Sequence, residues 1–185
     1  ALAARDKFVM REMLAAGGVP VPHFQRFSAA SDPVQIAGQV RYPCVVKPTL
    51  LSGSRGAIRA DDPEQFVAAF ARTREILAAE GWAPDTASIL VEEFLPGFEV
   101  ALEGLLTEGG LQVLALFDKP DPLDGPFFEE TIYVTPSRLP EETQAAIAET
   151  TARGSAALGL RQGPIHAELR INERGPWIIE MAGRS

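Results

Sequence analysis

The spacing of hydrophobic residues along the chain predicts a mixture of helices and strands. Phe8, Met13 and Leu14 recur at helical intervals and Gly17 follows them, so a helix is predicted over residues 6–16. The same criteria predict three further helices, over residues 32–40, 62–80 and 139–158. Strands are predicted where runs rich in apolar and β-branched residues are bounded by turn residues, over residues 42–47, 57–60, 88–94, 99–106, 111–117, 131–135, 165–171 and 177–181.

The last two strands form a predicted hairpin with two carboxylates facing each other. With a turn over residues 172–176, Glu168 lies directly opposite Glu180. This register places seven apolar residues on the other face, namely Ile165, Ala167, Leu169, Ile171, Trp177, Ile179 and Met181. Opposed carboxylates repel unless a proton or cation lies between them, and Mg²⁺ with phosphates satisfies that geometry. Neutralisation of the pair by Arg170 and Arg184 on a solvated face is the alternative.

A second group of residues suits a phosphate. Lys47 ends a buried-looking strand, and glycines in the loop after it allow the backbone to approach an anion closely. The order of residues is not that of a P-loop, and taken alone a plain Gly/Ser hairpin loop is the commoner explanation. The loop residues concerned are Ser52, Gly53, Ser54, Arg55 and Gly56.

Residues 118–130 form an acidic loop broken by proline and glycine. It is longer than most connections, so it is a candidate lid or binding loop, and a simple surface excursion is the alternative.

Composition and charge narrow the class of protein. The 185 residues contain 46% hydrophobic and 23% charged residues, typical of a globular chain. A formal net charge of −8 argues against nucleic acid or anionic membrane as the main partner. The single cysteine excludes an internal disulfide, and no apolar run is long enough to span a bilayer, so a cytoplasmic location is expected.

Five segments, taken in order, resemble the ATP-grasp superfamily. They are ARDKFVMREMLAAGGVPVP, PCVVKP, SGSRGA, VEEFLPGFEVALEG, and the strand pair GPIHAELR and IIEMAGR. The resemblance implies an α+β ATP-grasp fold of two lobes, each with a mostly antiparallel sheet and helices, and with ATP between them. It implies a small lobe over residues 1–94 and a larger lobe with a metal-binding hairpin over residues 95–185. The termini suggest a fragment of a longer protein.

The resemblance also implies the roles of individual residues. Glu168 and Glu180 would hold Mg²⁺ or Mn²⁺, and Arg184 would lie near the reacting acyl phosphate. His166 shares the carboxylate face, where a role toward substrate and simple pairing with an acid are both open. The implied ATP contacts are Lys7, Lys47, Ser52, Gly53, Ser54, Arg55, Gly56, Glu92, Glu93, Phe94, Leu95 and Glu99. Many members carry Asn two residues after the second metal ligand, where this chain has Ala182.

Within the superfamily the chain looks most like the carboxylate–amine ligases, including amino-acid (dipeptide) ligases. The resemblance therefore implies a C–N bond-forming enzyme that uses ATP and Mg²⁺, acts on small-molecule carboxylates and amines, and leaves a homodimer open. Two alternatives remain. One is a carboxylase-type enzyme that activates bicarbonate, and the other is a nucleotide-binding regulatory module without ligase activity.

Overall fold

The computed structural model describes residues 4–129 and 131–184, which contain four α-helices and eight strands. None of the helices in these ranges is both long and apolar enough to cross a membrane. In chain order the elements are α1 (Lys7–Ala16), β1 (Phe24–Ser28), α2 (Pro33–Ile36), a 3₁₀ helix (Ala37–Gln39), β2 (Cys44–Pro48), β3 (Ile58–Ala60), α3 (Pro63–Ala79), β4 (Ser88–Glu93), β5 (Phe98–Thr107), β6 (Gly110–Lys119), α4 (Glu141–Ala157), β7 (Gly163–Asn172) and β8 (Gly175–Ala182).

The described residues divide into two compact units. Unit 2 consists of Pro22–Leu95 and Leu123–Glu129, and unit 1 contains the described residues before, between and after those segments. The sequence predicts a division between residues 94 and 95, with the whole N-terminal part in one lobe. The first described residues group instead with unit 1, because Met10 and Leu14 of α1 are buried in the core of that unit.

Unit 1 is an antiparallel sheet of order β6-β5-β7-β8 with α1 and α4 packed on it. Asp6 begins α1, since its carboxylate accepts hydrogen bonds from the backbone N–H groups of Phe8 and Val9 at 2.8 and 3.1 Å. The core between helices and sheet includes Met10, Leu14, Val100, Leu102, Ile147, Leu169, Ile178 and Met181. The opposite face of the sheet therefore remains available for polar side chains.

Unit 2 is an antiparallel sheet of order β1-β4-β2-β3 covered by α3. Asp62 caps α3 by accepting from the Gln65 backbone N–H at 2.9 Å, and Pro63 occupies the first turn. The rings of Phe66 and Phe70, both fully buried, anchor the helix on the sheet.

Two predicted features differ in the structure. Residues 131–135 were predicted as a strand, but Val134 forms only an isolated bridge with Asp118, because β6 ends at Lys119 and Pro136 cannot donate a further bond. Strand β1, by contrast, was not predicted, since VPVPHF before it was interpreted only as extended chain.

The register predicted for the terminal hairpin is correct at Glu168 and wrong by one residue nearer the turn. A two-residue turn gives the pairs Asn172↔Gly175 and Leu169↔Ile178, and a β-bulge then restores Glu168↔Glu180. As a result Ile178 rather than Ile179 is in the core, and Trp177 lies opposite Arg170 instead of on the apolar face.

Candidate active site

The carboxylates of Glu168 and Glu180 lie on the polar face of the unit 1 sheet, each beside a lysine. Their backbones are register partners on β7 and β8. Lys119 Nζ is 3.1 Å from Glu168, and Lys7 Nζ is 3.3 Å from Glu180. The alternative, in which Arg170 and Arg184 neutralise this pair, does not match the structure. Two lysines contact the acids instead, and Arg170 pairs with Glu99.

Lys119 is a residue of this face that the sequence does not predict. Its side chain is 2% exposed and its ammonium lies between Glu168 and Glu99, 2.9 Å from the latter. Glu99 is the register partner of Lys119 on β6 and of Arg170 on β7, and Arg170 Nε donates to it at 3.0 Å. A row of alternating charge therefore crosses three strands, and cross-strand pairs of this kind stabilise a sheet. The prediction ends this strand at residue 117 and assigns Lys119 to the following loop, whereas β6 continues through Asp118 to Lys119.

His166 is held between two carboxylates on the same face. Its Nδ1 lies 2.8 Å from Glu103, its register partner on β5, and its Nε2 lies 3.5 Å from Glu168. Only the imidazolium donates from both ring nitrogens. The hydrogen bond with Glu168 raises the pKa of His166, burial opposes this, and the hydrogen bond with Glu103 adds to the rise. His166 therefore pairs with acids in this structure.

The same neighbours keep Glu168 ionised. Burial alone would raise the pKa of the Glu168 carboxyl, but the hydrogen bond from His166 and the charge of Lys119 outweigh it and lower the pKa to about 2. Among the residues that the structure describes, four carboxylates thus meet four basic side chains on this face, namely Glu99, Glu103, Glu168 and Glu180 with Lys7, Lys119, His166 and Arg170.

The donor set suits a hard cation that keeps phosphate ligands. Glu168 and Glu180 supply carboxylate oxygens at facing positions, as Mg²⁺ requires. Across residues 4–129 and 131–184, no three His, Cys, Asp or Glu side chains form a metal-binding group. Ala182, opposite His166, contributes no oxygen ligand. Two carboxylates completed by phosphate oxygens fit these residues, whereas an all-protein cage does not.

The predicted nucleotide residues of unit 2 lie on β2 and β4. Lys47 and Glu92 form a buried ion pair with each other across these strands, with side chains 8% and 5% exposed. Glu93 donates its backbone N–H to the His23 carbonyl at 2.9 Å, and Phe94 and Leu95 are buried after the strand. Lys47 and Glu92 therefore lie on adjacent strands, and residues 93–95 follow Glu92 along the chain.

The glycine-rich loop is an exposed turn attached to α3. Gly53 has a positive φ of 68°, a conformation that glycine adopts without strain, and Ser54 after it has a positive φ of 53°. Arg55 contacts Glu80 at 2.7 Å, and Gly56 accepts a hydrogen bond from the Thr73 hydroxyl at 3.0 Å. The Ser52 carbonyl accepts from Arg55 Nε at 3.3 Å, so the guanidinium folds back on its own loop.

The remaining predicted site residues belong to unit 1. Lys7 projects from the first turn of α1 to Glu180, and Glu99 lies within the charged row. Arg184 follows β8 as an exposed residue. The structure thus brings Lys7, Glu99, His166, Glu168 and Glu180 to one face of one sheet.

Comparison with known proteins identifies the family. A family model described as ATP-grasp domain matches residues 40–185. The alanine–anticapsin ligase of Bacillus subtilis (strain 168) is 28% identical over 197 residues, covering 98% of this chain and 41% of that protein.

Solved structures agree with this match. The crystal structure of an L-amino acid ligase from Bacillus licheniformis superposes with a TM-score of 0.80 at 32% identity, covering 99% of this chain and 41% of that one. A biotin carboxylase complex from Campylobacter jejuni has a TM-score of 0.79 at 19% identity, covering 100% of this chain and 41% of that one, which shows the fold alone. The chain spans about two fifths of the length of these proteins. The ATP-grasp fold expected from the sequence is confirmed, and because the family model spans most of its residues, the chain belongs to the ATP-grasp domain family.

Proposed function

We propose that the protein containing this chain is an ATP- and Mg²⁺-dependent ligase that joins a small-molecule carboxylate to an amine. The observation that carries the proposal is the facing pair Glu168 and Glu180, each beside a lysine, on the polar face of the unit 1 sheet. The similarity to an alanine–anticapsin ligase and an L-amino acid ligase supports amino acids as the substrate class. Because ATP is consumed, a cytoplasmic location is part of the proposal.

The reaction has two balanced steps. A carboxylate oxygen of the first substrate attacks the γ-phosphorus of ATP, so that ADP leaves and an acyl phosphate forms. The amine nitrogen of the second substrate then attacks the acyl carbon, inorganic phosphate leaves, and the nitrogen loses a proton. Both steps need charge neutralisation around phosphate more than a protein nucleophile.

We assign roles to the residues in line with their positions. Lys7 and Lys47 would neutralise ATP phosphates together with the loop Ser52–Gly56, and Glu92, the backbone of Glu93–Leu95 and Glu99 would meet adenine and ribose. In this structure Lys47 pairs with Glu92, and Glu99 pairs with Lys119 and Arg170, so nucleotide contacts would replace or extend these ion pairs. Arg184 would stabilise the acyl phosphate, and His166 would hold Glu168 in position.

Glu168 and Glu180 would hold the metal ion. When bound, Mg²⁺ would neutralise phosphate charge during transfer. His166 and Lys119 keep Glu168 anionic before any cation arrives, and a metal ligand has to be deprotonated.

The test is release of ADP by the full-length protein, screened with pairs of amino acids and Mg²⁺. The wild-type protein is expected to release ADP only when both a carboxylate and an amine substrate are present. Glu168→Gln and Glu180→Gln should abolish release, and Glu75→Gln, an exposed acid of α3 paired with Arg72, is the matched control that should retain it.

Two results would contradict the ligase proposal, and a third would contradict the assigned metal site. ADP release that depends on bicarbonate would indicate the carboxylase-type reaction. Nucleotide binding without ADP release for any pair would indicate a regulatory module. Full activity of both glutamine variants would show that this carboxylate pair is not the metal site.

A further inference from the structure

The β-bulge in β8 determines which residue faces Glu168. From the turn to Leu169↔Ile178 the strands pair without interruption, and the same register continued would place Ile179 opposite Glu168. Glu180 would then lie opposite Ala167, on the core face, because a shift of one residue reverses the side on which each side chain points. One extra residue, Ile179, instead brings Glu180 to the polar face.

Arg11 of α1 binds the backbone at this extra residue. The arginine is completely buried, and its Nη2 donates to the carbonyl oxygen of Ile179 at 2.6 Å. Burying a guanidinium is unfavourable unless its N–H groups donate hydrogen bonds. A fully buried arginine that binds a carbonyl at a bulge is therefore expected to have a specific structural role. A bulge disrupts the regular ladder around its extra residue, and Arg11 supplies a charged donor at that position.

Arg11 and Lys7 bind neighbouring residues of β8 from the same helix. The two residues are four apart in α1 and therefore lie on one face of the helix. Lys7 contacts the carboxylate of Glu180 and Arg11 contacts the carbonyl of Ile179, so one helix face binds two successive residues of β8.

The bulge also decides which side chains of β8 enter the core, and helix α4 leaves room for them. Because of the extra residue, Ile178 and Met181 both point into the core, three positions apart. Gly154 lies against them: a Cβ at this position would overlap Ile178 Cδ1 and approach Met181 Cε to 3.0 Å. The small residue leaves room for the side chain that the bulge turns inward.

We propose that Arg11 is a positioning residue that holds the β8 bulge and thereby keeps Glu180 opposite Glu168. The consequence for metal-dependent nucleotide binding rests on the proposed function, whereas the effect on strand register does not. Arg11 itself is fully buried and acts through the backbone of β8.

The experiment compares Arg11→Met and Arg11→Lys with Arg153→Met in the full-length protein without metal or nucleotide. Arg153 is the exposed control, because its Nη2 also donates to a backbone carbonyl of unit 1, that of Gly18, at 2.6 Å. Amide hydrogen exchange of residues 178–182 and NMR cross-strand contacts of Glu168 report the register directly.

We expect Arg11→Met to accelerate exchange in β8 at least tenfold relative to β5 and to move the Glu168 contact from Glu180 to Ile179. Arg11→Lys should retain part of the protection, and Arg153→Met should match the wild type. A folded Arg11→Met protein with unchanged β8 exchange and register would overturn the inference. If Arg11→Met does not fold, Arg11→Lys decides: wild-type β8 protection would overturn the inference, and a selective loss in β8 would support it.

A second measurement separates this inference from the proposed function. Titration with Mn²⁺ and a non-hydrolysable ATP analogue should show a tenfold or greater loss of Mn²⁺-dependent affinity in Arg11→Met, with metal-free nucleotide affinity unchanged. If the wild type shows no Mn²⁺-dependent affinity, the proposed function fails and the register result still tests Arg11. If Arg11→Met keeps both register and Mn²⁺ dependence, the role of Arg11 fails and the proposed function stands.

Discussion

The role of Lys119 depends on residues that are distant from it in sequence and close to it in space. In sequence it falls in the predicted loop over residues 118–130, just beyond the predicted end of a strand at residue 117. In the structure it neutralises Glu99 and Glu168, and Lys7 neutralises Glu180. The facing carboxylates expected to repel each other are therefore compensated, and removing either charge should destabilise the fold rather than relieve strain.

Glu168 should dominate the acid side of a pH profile for this protein without metal or nucleotide. Its pKa falls from 4.5 to about 2 on folding, so its stabilising contribution is present above pH 4.5 and is lost as pH falls toward 2. The linked change in the free energy of unfolding is at most about 3 kcal/mol. His166 has a raised pKa, so its contribution is complete below pH 6.5 and is lost as pH rises through the folded-state pKa.

Urea unfolding of the wild type and of Glu168→Gln from pH 2 to 8 measures this prediction. The difference in unfolding free energy between the two should be largest between about pH 4.5 and 6.5 and should shrink on both sides. Glu75→Gln should leave the wild-type profile unchanged, because this acid is exposed. A difference that is independent of pH would contradict the assigned pKa shifts.

Lys47 should contribute to stability as well as to nucleotide binding. Because it forms a buried ion pair with Glu92, Lys47→Met removes the cation beside a buried carboxylate and should destabilise unit 2 by about 3 kcal/mol or more. The double variant Lys47→Met with Glu92→Gln should recover part of that loss, as measured by urea unfolding.

The exposed pair of Arg55 and Glu80 in the same unit provides the control. Arg55→Met should cost less than about 1 kcal/mol, because both side chains are more than a third exposed. Equal losses in Lys47→Met and Arg55→Met would mean that the burial of the Lys47 pair has no energetic consequence.

At the scale of elements, the acidic loop predicted over residues 118–130 begins only after β6 ends at Lys119, and part of it is attached to unit 2. Its segment Leu123–Glu129 belongs to unit 2 and lies along the edge strand β3, where the Arg59 backbone N–H donates to the Pro126 carbonyl at 2.9 Å. The Arg59 guanidinium donates to the Asp124 carbonyl at 2.7 Å and stacks on the Phe94 ring at 4.1 Å. Covering an edge strand in this way blocks its pairing with another chain.

Replacing Arg59 should release this segment from β3. In Arg59→Met the charge-assisted bond and the cation–π contact are lost, so the amide of residue 59 should exchange about tenfold faster, consistent with about 1.5 kcal/mol for a hydrogen bond to a charged group. Hydrogen exchange followed by NMR measures the effect. Arg72→Met, which removes an exposed pair on α3, should leave this amide unchanged. Slow exchange at residue 59 in Arg59→Met would show that backbone pairing alone holds the segment.

At the scale of the molecule, each unit has its own hydrophobic core. Phe66 is fully buried in unit 2, and Leu102 is 1% exposed in the core of unit 1. The chain enters and leaves unit 2 twice, because Leu123–Glu129 joins it from between β6 and α4 of unit 1.

Core truncations should therefore act mainly on the unit that contains them. Phe66→Ala should lower stability by about 3 to 5 kcal/mol and Leu102→Ala by about 2 to 5 kcal/mol, because each leaves a cavity. Amide exchange should accelerate chiefly in β2 and β4 for the first variant and chiefly in β5 and β7 for the second. Equal acceleration in all four strands for either variant would show that the two cores unfold together.

Local sequence accounts for most elements and for the identity of the principal acids. Helix ends follow from caps such as Asp6 and Asp62, and strand positions follow from apolar runs, because both depend on residues within a few positions of each other. The facing of Glu168 and Glu180 was also predicted, although the assumed turn differs from the observed one by a residue and the bulge cancels that difference.

The remaining features depend on contacts between residues far apart in the chain. Local alternation cannot reveal the bulge, because Ile178 and Ile179 are both isoleucine and either one suits the core. The partners of the acids are equally non-local: Lys119 is 49 residues from Glu168, and Arg11 is 168 residues from Ile179. Such pairs form only when strand pairing and helix packing bring them together, so the charge balance of the site and the unit to which α1 belongs follow from tertiary structure.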